Sequence, residues 1–228
     1  MKDEEILNKI DHTLLKPDIT FTDIKKLCEE AIHYKTASVC IPPCYVKPVS
    51  NEYGNLNICT VVGFPLGYSI TAAKVLETER AILSRANEID MVINISDVKN
   101  GNFDFVLEEI KLLKKTCLLT GNHSGSEKIL KVIIETCYLT EDEKIRLCEI
   151  VTEAGADFIK TSTGFGTAGA LLADIELFKK HIGPNVKIKA AGGVKTREDL
   201  EVFINAGASR IGTSSAVKLL AGSTVNGY

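Results

Sequence analysis

Short apolar runs rich in Val and Ile recur along the chain, and each is bounded by Gly, Pro, Ser or Thr. Runs this short and this rich in β-branched residues favour strands over helices. The pattern predicts eight strands, at Thr13–Leu15, Ser38–Ile41, Ile58–Val62, Ile89–Ile93, Lys131–Glu135, Asp157–Lys160, Val186–Ala190 and Arg210–Gly212.

The segments between these runs carry apolar residues at helical spacing. Thr20 is placed to cap one of them, and the Thr140 to Glu143 spacing of a capping box opens another. The polar stretch Thr120–Lys128 is predicted to be a surface loop. Helices are predicted at Glu5–Ile10, Phe21–His33, Thr71–Ala86, Asp104–Lys115, Thr140–Ala154, Leu171–His181, Thr196–Ala206 and Ala216–Leu220.

Strands that alternate with helices indicate parallel strands joined by right-handed crossovers. Eight such units can close into a barrel or form an open, doubly wound sheet. The barrel is favoured because no GxGxxG turn follows the first predicted strand. No low-complexity linker divides the sequence, so we expect one domain over residues 1–228: a single α/β (β/α)₈ TIM barrel with a short N-terminal helix.

Composition and charge narrow the functional classes. The 228 residues are 45% hydrophobic and 25% charged, with a net charge of −3, as is ordinary for soluble globular proteins. The lysines are spread along the chain, which argues against nucleic-acid and membrane partners. The sequence lacks an apolar run of about 18 residues and starts with acidic residues, so we expect a cytoplasmic protein.

The seven cysteines form no CxxC pair. Cys40 and Cys44 are four residues apart with two prolines between them, which is poor spacing for zinc. We therefore expect no structural metal, and interpret the thiols as reduced, buried and acting as small hydrophobic groups. They are Cys28, Cys40, Cys44, Cys59, Cys117, Cys137 and Cys148.

Two lysines end neighbouring predicted strands. Lys160 is followed by small hydroxyl residues and a glycine, and Lys189 is at the equivalent height on the next strand. A lone lysine there is equally well explained by a side chain that extends out of the barrel mouth. A pair is more informative, because a cationic neighbour and a dry pocket both favour the neutral amine that Schiff-base chemistry requires.

Acidic and basic residues also enter the apolar runs. Asp90 lies inside the fourth predicted strand and must face a partner, either as a structural ion pair or as a group that transfers protons. Asp11, just before the first strand, and Lys131, at the start of the fifth, are interpreted as a supporting internal charge network.

Glycine and serine residues follow the last three predicted strands. Glycine lets the backbone approach a ligand closely, and loops after the seventh and eighth strands of this fold commonly bind phosphate. The predicted substrate-binding residues of these loops are Gly164, Gly192, Gly193, Gly212, Ser214 and Ser215.

Eight stretches in order along the chain resemble the deoxyribose-phosphate aldolase family, and the combination of KTSTGF with KAAGGVKT is highly specific. The likeness covers nearly the whole chain from residue 11 to the end. The stretches are DHTLLKPD (from Asp11), SVCIPP (from Ser38), VVGFPLG (from Val61), EIDMVINI (from Glu88), LKVIIET (from Leu130), GADFIKTSTGF (from Gly155), IKAAGGVKT (from Ile188) and RIGTSS (from Arg210).

The resemblance implies a class I aldolase without metal or other cofactor, which interconverts 2-deoxy-D-ribose 5-phosphate with D-glyceraldehyde 3-phosphate and acetaldehyde. It implies that Lys160 forms the Schiff base, that Lys189 is the second active-site lysine, and that Asp90 belongs to the proton relay. It assigns phosphate binding to the glycines and serines named above and implies a homodimer. It also places Thr13 and Cys40 near the reacting aldehyde and gives Tyr228 a part in proton transfer.

Two residues depart from the family pattern. Phe165 stands where some members carry lysine, and Lys195 where arginine is frequent, which puts the strength of phosphate binding in doubt. Three other functions stay open: an aldolase for a ketose phosphate, a phosphate-binding isomerase without a covalent step, and a non-catalytic sugar-phosphate sensor.

Overall fold

Eight parallel strands close into a barrel in the computed structural model, which describes residues 1–123 and 127–220. Each strand pairs with the next in the sequence, and the last pairs with the first. This closure confirms the (β/α)₈ barrel and excludes the open sheet. The strands are β1 (Ile10–Thr13), β2 (Ser38–Ile41), β3 (Ile58–Val62), β4 (Glu88–Val92), β5 (Ile129–Ile133), β6 (Phe158–Lys160), β7 (Lys187–Ala191) and β8 (Arg210–Thr213).

Helices surround the barrel, and a short helix precedes the first strand, as predicted. The sequence explains several of their starts, since Thr20, Thr140 and Thr196 each accept a hydrogen bond from the backbone at the third helical position. Within the described residues the helices are α1 (Asp3–Leu7), α2 (Phe21–Tyr34), α3 (Pro43–Glu52), α4 (Thr71–Leu83), α5 (Ile95–Lys99), α6 (Phe103–His123), α7 (Glu141–Glu153), α8 (Leu172–His181), α9 (Arg197–Ala206) and α10 (Ala216–Leu220), with a 3₁₀ turn at Thr136–Tyr138.

The apolar core lies between the barrel and the helices. In β4, Ile89 and Met91 point outward into this core, whereas Glu88 and Asp90, on the other face of the strand, point into the barrel. The same alternation holds in the other strands, so the interior of the barrel receives the charged residues and the outer layer supplies the hydrophobic stabilisation.

Several predicted strand boundaries were wrong where polar residues enter the barrel. The first strand is Ile10–Thr13 and not Thr13–Leu15, so Asp11 lies within it. The fifth is Ile129–Ile133, which places Lys131 at its centre and not at its start. The predicted first strand left out Asp11, and the predicted fifth strand began at Lys131, although both side chains point into the barrel.

Two helices were not predicted, and one is longer than expected. Helix α3 contains two prolines: Pro43 is tolerated because it lies in the first helical turn, whereas Pro48 lies inside the helix. Helix α5 is too short to show a period. Helix α6 continues to His123, so the first part of the predicted loop Thr120–Lys128 is helical.

The expectation that all the thiols are buried was wrong for two of them. Cys44 is exposed on α3 and Cys137 is partly exposed, whereas the other five cysteines are buried, and all seven are free thiols. Among the described residues, no helix is long and apolar enough to span a membrane.

The loop after β3 offers a test of packing at the barrel mouth. Gly67 has φ +73°, and a Cβ added there would lie 1.9 Å from the backbone oxygen of Ile93. Gly155 has nearly the same φ, +70°, but a Cβ there would meet nothing within 4 Å. Gly155→Ala should therefore lower the free energy of unfolding only by the cost of holding alanine in the left-handed conformation, about 1–2 kcal/mol. Gly67→Ala should cost several kcal/mol more, on the order of 4 kcal/mol in total.

The free energies of unfolding of the two variants, measured in urea, test this difference. Equal losses for Gly67→Ala and Gly155→Ala would show that the loop can move away from Ile93 without cost.

Candidate active site

Seven charged side chains meet inside the barrel, contributed by six strands. Their side chains are at most 16% exposed, and four are fully buried. The three carboxylates are Asp11, Glu88 and Asp90, and the four cations are Lys131, Lys160, Lys189 and Arg210.

Asp90 lies at the centre of this cluster. Its Oδ2 accepts hydrogen bonds from Lys160 Nζ and Lys189 Nζ, both at 2.7 Å, and its Oδ1 accepts one from Lys131 Nζ at 2.8 Å. Lys160 pairs with Lys189 in the β6–β7 register, which confirms that the two lysines are at the same height. Asp90 thus connects both lysines directly.

The other two carboxylates are paired further down the barrel. Asp11 Oδ2 lies 2.5 Å from Lys189 Nζ, and its Oδ1 accepts a hydrogen bond from Arg210. Glu88 lies 2.6 Å from Lys131 Nζ and 2.9 Å from the Arg210 guanidinium. Asp11 and Lys131 therefore both take part in the internal charge network.

The electrostatics keep these partners charged. Burial opposes ionisation of Asp90, but Lys131, Lys160 and Lys189 outweigh it and hold the pKa of Asp90 well below its ordinary value. Burial likewise opposes charge on Lys189, but the carboxylates of Asp11 and Asp90 raise the pKa of Lys189 above its ordinary value. Lys189 therefore remains a cation beside Lys160.

The number of partners differs between the cations. Within 4 Å, Lys131 contacts three carboxylates of the described residues, Lys189 and Arg210 each contact two, and Lys160 contacts only Asp90. With every group ionised the cluster carries one excess positive charge. Lys160, at the C-terminal end of its strand, has the least compensation of the four.

The loops after β6 and β7 meet above the lysines. Gly164, Gly192 and Gly193 all have positive φ, and a Cβ on Gly192 would lie 3.7 Å from the Gly164 Cα. Ser162, next to them, is buried, and its hydroxyl has no hydrogen-bond partner among the described residues. The structure thus brings together the glycines predicted to bind substrate, with a hydroxyl group beside them.

The residues predicted in β8 and after it differ in accessibility. Gly212 lies inside the barrel, where a Cβ would be 3.1 Å from Lys189 Cε, so its small size makes room for that lysine. Ser214 is partly exposed. Ser215 is buried, with its hydroxyl 2.9 Å from Thr213 Oγ1 and 3.4 Å from the backbone oxygen of Val194.

The remaining predicted residues lie at the mouth or outside the described part. Thr13 ends β1 and donates to the Asp11 backbone oxygen at 2.7 Å, and Cys40 is buried in β2. Phe165 is half exposed, and its ring contacts Phe64 edge to face. Lys195 is exposed after β7. Tyr228 lies outside the described residues.

Sequence reasoning missed two members of the cluster, Glu88 and Arg210. The alternation of strand side chains could have identified Glu88, because it lies two residues before Asp90 and so on the same face. Arg210 is two residues before Gly212, which was already predicted to belong to the site. Both were assigned to strand ends rather than to the interior.

Glu135 was also missed. It follows β5 with a left-handed backbone, φ 54° and ψ 68°, which is uncommon for a residue other than glycine. Its carboxyl accepts hydrogen bonds from the backbone N–H and the hydroxyl of Thr163, in the loop after Lys160. Burial raises the pKa of Glu135, against the effect of these hydrogen bonds. The contact joins the loops after β5 and β6 at the mouth.

Comparison with known proteins places this geometry among aldolases. The model of the DeoC/LacD family aldolases matches residues 6–222. The deoxyribose-phosphate aldolase of Clostridium botulinum (strain Alaska E43 / Type E3) is 65% identical over the full length of both chains. That of Clostridioides difficile (strain 630) is 57% identical over 99% of this chain and 100% of the relative.

A solved structure agrees with these relatives. The tetrameric deoxyribose phosphate aldolase from Aeropyrum pernix superposes with a TM-score of 0.87 at 31% identity. The match covers 97% of this chain and 92% of that structure.

The buried carboxylates predict a specific acid sensitivity. The pKa of Asp11 is below its ordinary value in the folded protein, because Lys189, Lys131 and Arg210 outweigh the effect of burial. Its stabilising contribution is therefore complete above the unfolded pKa, near 4, and is lost as the pH falls towards the folded value. Between these two pKa values, each such carboxylate adds about 1.4 kcal/mol per pH unit to the slope of the free energy of unfolding against pH.

Asp11→Asn should lower the free energy of unfolding. Below pH ~4 it should also reduce the slope of that free energy against pH by about this amount. Urea unfolding at a series of pH values measures it, with Asp18→Asn, at an exposed position, as the control. Parallel slopes for wild type and Asp11→Asn would show that Asp11 takes up no extra proton on unfolding.

Proposed function

The chain belongs to the DeoC/LacD family of aldolases, and on this premise we propose that Lys160 carries out its aldol chemistry through a Schiff base. The enzyme is a deoxyribose-phosphate aldolase, which cleaves 2-deoxy-D-ribose 5-phosphate into D-glyceraldehyde 3-phosphate and acetaldehyde. Relatives of this name at 57% and 65% identity favour this reaction over the ketose-phosphate aldolase, isomerase and sensor alternatives. The observation that carries the proposal is the pair of lysines sharing one carboxylate oxygen inside the barrel mouth.

The first step needs a neutral amine. We assign this step to Lys160 because it has the fewest carboxylate partners of the four cations in a cluster with one excess positive charge. Its amine attacks the aldehyde carbon of the open-chain sugar phosphate, and loss of water leaves an iminium ion. Lys189, held charged by Asp11 and Asp90, supplies the cationic neighbour that favours the neutral amine.

The iminium ion then accepts the electrons of the breaking bond. The hydroxyl on C3 loses its proton, the C2–C3 bond breaks, and its electron pair moves to form an enamine on Lys160. Glyceraldehyde 3-phosphate leaves with the new C3 aldehyde. Asp90, directly or through a water molecule, and Lys189 handle these protons, since Asp90 Oδ2 lies 2.7 Å from both amines.

Protonation of the enamine carbon and hydrolysis of the resulting imine release acetaldehyde and restore Lys160. Tyr228 assists this protonation in our proposal, on the basis of family likeness alone. Thr13 and Cys40 line the pocket near the aldehyde, at the ends of two adjacent strands.

The phosphate is held by the loops at the barrel mouth. The close approach of Gly164 and Gly192 supports a role for these loops, because backbone N–H groups without a Cβ nearby can reach an anion. In this proposal Gly193, Gly212, Ser214 and Ser215 also contribute to phosphate binding, on the basis of family likeness. Holding the phosphate away from the reacting carbon orients the chain of the sugar.

We also propose that the enzyme acts in the cytoplasm as a homodimer, in the breakdown of deoxyribose phosphates. The seven free thiols support a reducing compartment. Half-exposed apolar residues on α4 and α6, among them Leu83 and Phe105, support association of subunits.

Borohydride trapping tests the covalent step. Reduction in the presence of 2-deoxy-D-ribose 5-phosphate should fix one adduct, which peptide mapping places on Lys160. Lys160→Ala should prevent trapping and lower kcat by at least about 10³-fold, because the nucleophile is lost. The control is Lys187→Met, an exposed lysine two residues before Lys189 on β7. An adduct on another lysine, or near-normal turnover of Lys160→Ala, would contradict the assignment.

Replacing the second lysine tests its electrostatic role. Lys189→Met should lower kcat by about 10²-fold or more, and the rising limb of the pH–rate profile should move to higher pH, because the neutral amine loses its cationic neighbour. Thermal unfolding of the variant separates this effect from lost stability. A lower kcat with an unchanged pH profile would show that the two lysines are not coupled.

A further inference from the structure

Two thiols lie side by side inside the barrel, next to the central carboxylate. Cys40 and Cys59 pair in the β2–β3 register and are fully buried. Cys59 Sγ lies 3.1 Å from Asp90 Oδ1 and accepts a hydrogen bond from Lys131 Nζ at 3.2 Å. The two sulfur atoms and one oxygen of Asp90 all lie within 4.8 Å of one another.

We propose that Cys40, Cys59 and Asp90 form a binding site for a thiophilic divalent metal ion, Zn²⁺ or Cd²⁺, and that its occupancy inhibits the enzyme. Two of the three ligands are sulfur, which selects such ions over Mg²⁺ or Ca²⁺. A tetrahedral ion with bonds of about 2.3 Å to sulfur and 2.0–2.2 Å to oxygen needs S···S near 3.8 Å and S···O near 3.5 Å. Cys59 Sγ and Asp90 Oδ1, at 3.1 Å, are closer than this, and all three ligand atoms lie within 4.8 Å of one another, so binding requires the side chains to adjust.

The same spacing disfavours a disulfide between the two thiols. Neighbouring strands are about 4.8 Å apart, and side chains paired in register point the same way, so the Cβ atoms keep nearly that separation. A disulfide requires about 3.5–4.5 Å between Cβ atoms. A bridging metal ion fits the wider gap without moving the strands.

Charge does not prevent binding among the lysines. When the ion replaces the protons of both thiols, two positive charges enter and two protons leave, so the total is unchanged. The hydrogen bond with Cys59 and the nearby lysines lower the pKa of the Cys40 thiol, against the effect of burial, and so favour the thiolate form that binds metal. Burial, Cys40 and Asp90 raise the pKa of the Cys59 thiol well above its ordinary value, so the ion itself must displace that proton. Lys131, which already donates to Cys59 Sγ, would stabilise the resulting thiolate without being a ligand.

Inhibition follows from the use of Asp90 as a ligand, and this part rests on the proposed function. A metal ion on Oδ1 lowers the proton affinity of the carboxylate that exchanges protons with Lys160 and displaces Lys131 from it. The ion would therefore block proton transfer while leaving the outer barrel unchanged.

Titration of the reduced enzyme with CdCl₂ tests the site, with thiolate-to-metal absorption in the near ultraviolet as the readout. We expect about one ion per chain, loss of activity with the same dependence on concentration, and recovery with a chelator. Cys59→Ala should remove at least half of the absorption and raise the inhibitory Zn²⁺ concentration about tenfold or more, because a thiolate ligand contributes at least as much as an outer partner. Cys40→Ala removes the other thiolate ligand and replaces Cys59→Ala in this test if that variant does not fold.

Two further variants separate the possible outcomes. Cys44→Ser removes the exposed thiol and should leave the absorption unchanged. Lys160→Ala should keep the absorption although it cannot form an imine, so the metal site is tested independently of the proposed reaction. An absent band in the wild type, a band lost only with Cys44→Ser, or inhibition that survives both Cys40→Ala and Cys59→Ala would overturn the proposal.

Discussion

The hydrogen bonds of Asp90 are the interaction on which the rest of the barrel interior depends. An ionised carboxylate cut off from water is costly unless it is paired, and so is a buried ammonium. Asp90 places Lys131 on one oxygen and both Lys160 and Lys189 on the other, so each charge makes the burial of the others tolerable. This arrangement requires β4, β5, β6 and β7 to hold one register, which the closed barrel enforces.

Such a network contributes more to chemistry than to stability. Breaking one buried pair is strongly destabilising, yet replacing a whole pair by well-packed apolar residues is often neutral, so buried charges are weak evidence for stabilisation. Here stabilisation comes from the apolar layer between the strands and the helices. The charged residues instead give the cations unequal numbers of carboxylate partners. Lys131 contacts three carboxylates within the described residues, whereas Lys160, at the mouth, contacts one. In the mechanism that we propose, the lysine with the least compensation is the one that reacts.

The sequence predicted the fold well, because short apolar runs rich in Val and Ile mark the strands and helical spacing marks the segments between them. Lys160, Lys189 and Asp90 interrupt these runs and so stood out. The ends of β1 and β5 were misplaced: the predicted first strand left out Asp11 and the predicted fifth strand began at Lys131, although both side chains point inward. Helix α3 was not predicted; it contains Pro43 and Pro48, and proline normally discourages a helix interior.

Glu135 and the thiol pair show what spacing along a chain cannot reveal. The left-handed backbone of Glu135 and its contact with Thr163 depend on how two loops meet after the barrel has closed. Cys40 and Cys59 are 19 residues apart, the length of one strand-to-strand repeat, and 31 residues separate Cys59 from Asp90. Short metal-binding motifs require ligands that are close in sequence, within one turn or one hairpin. They therefore miss any site whose ligands come from neighbouring parallel strands. In a parallel barrel, two ligands on neighbouring strands are separated in sequence by one strand–helix unit, and the register decides which residues are opposite each other. A search for such a site should compare only the residues that point into the barrel.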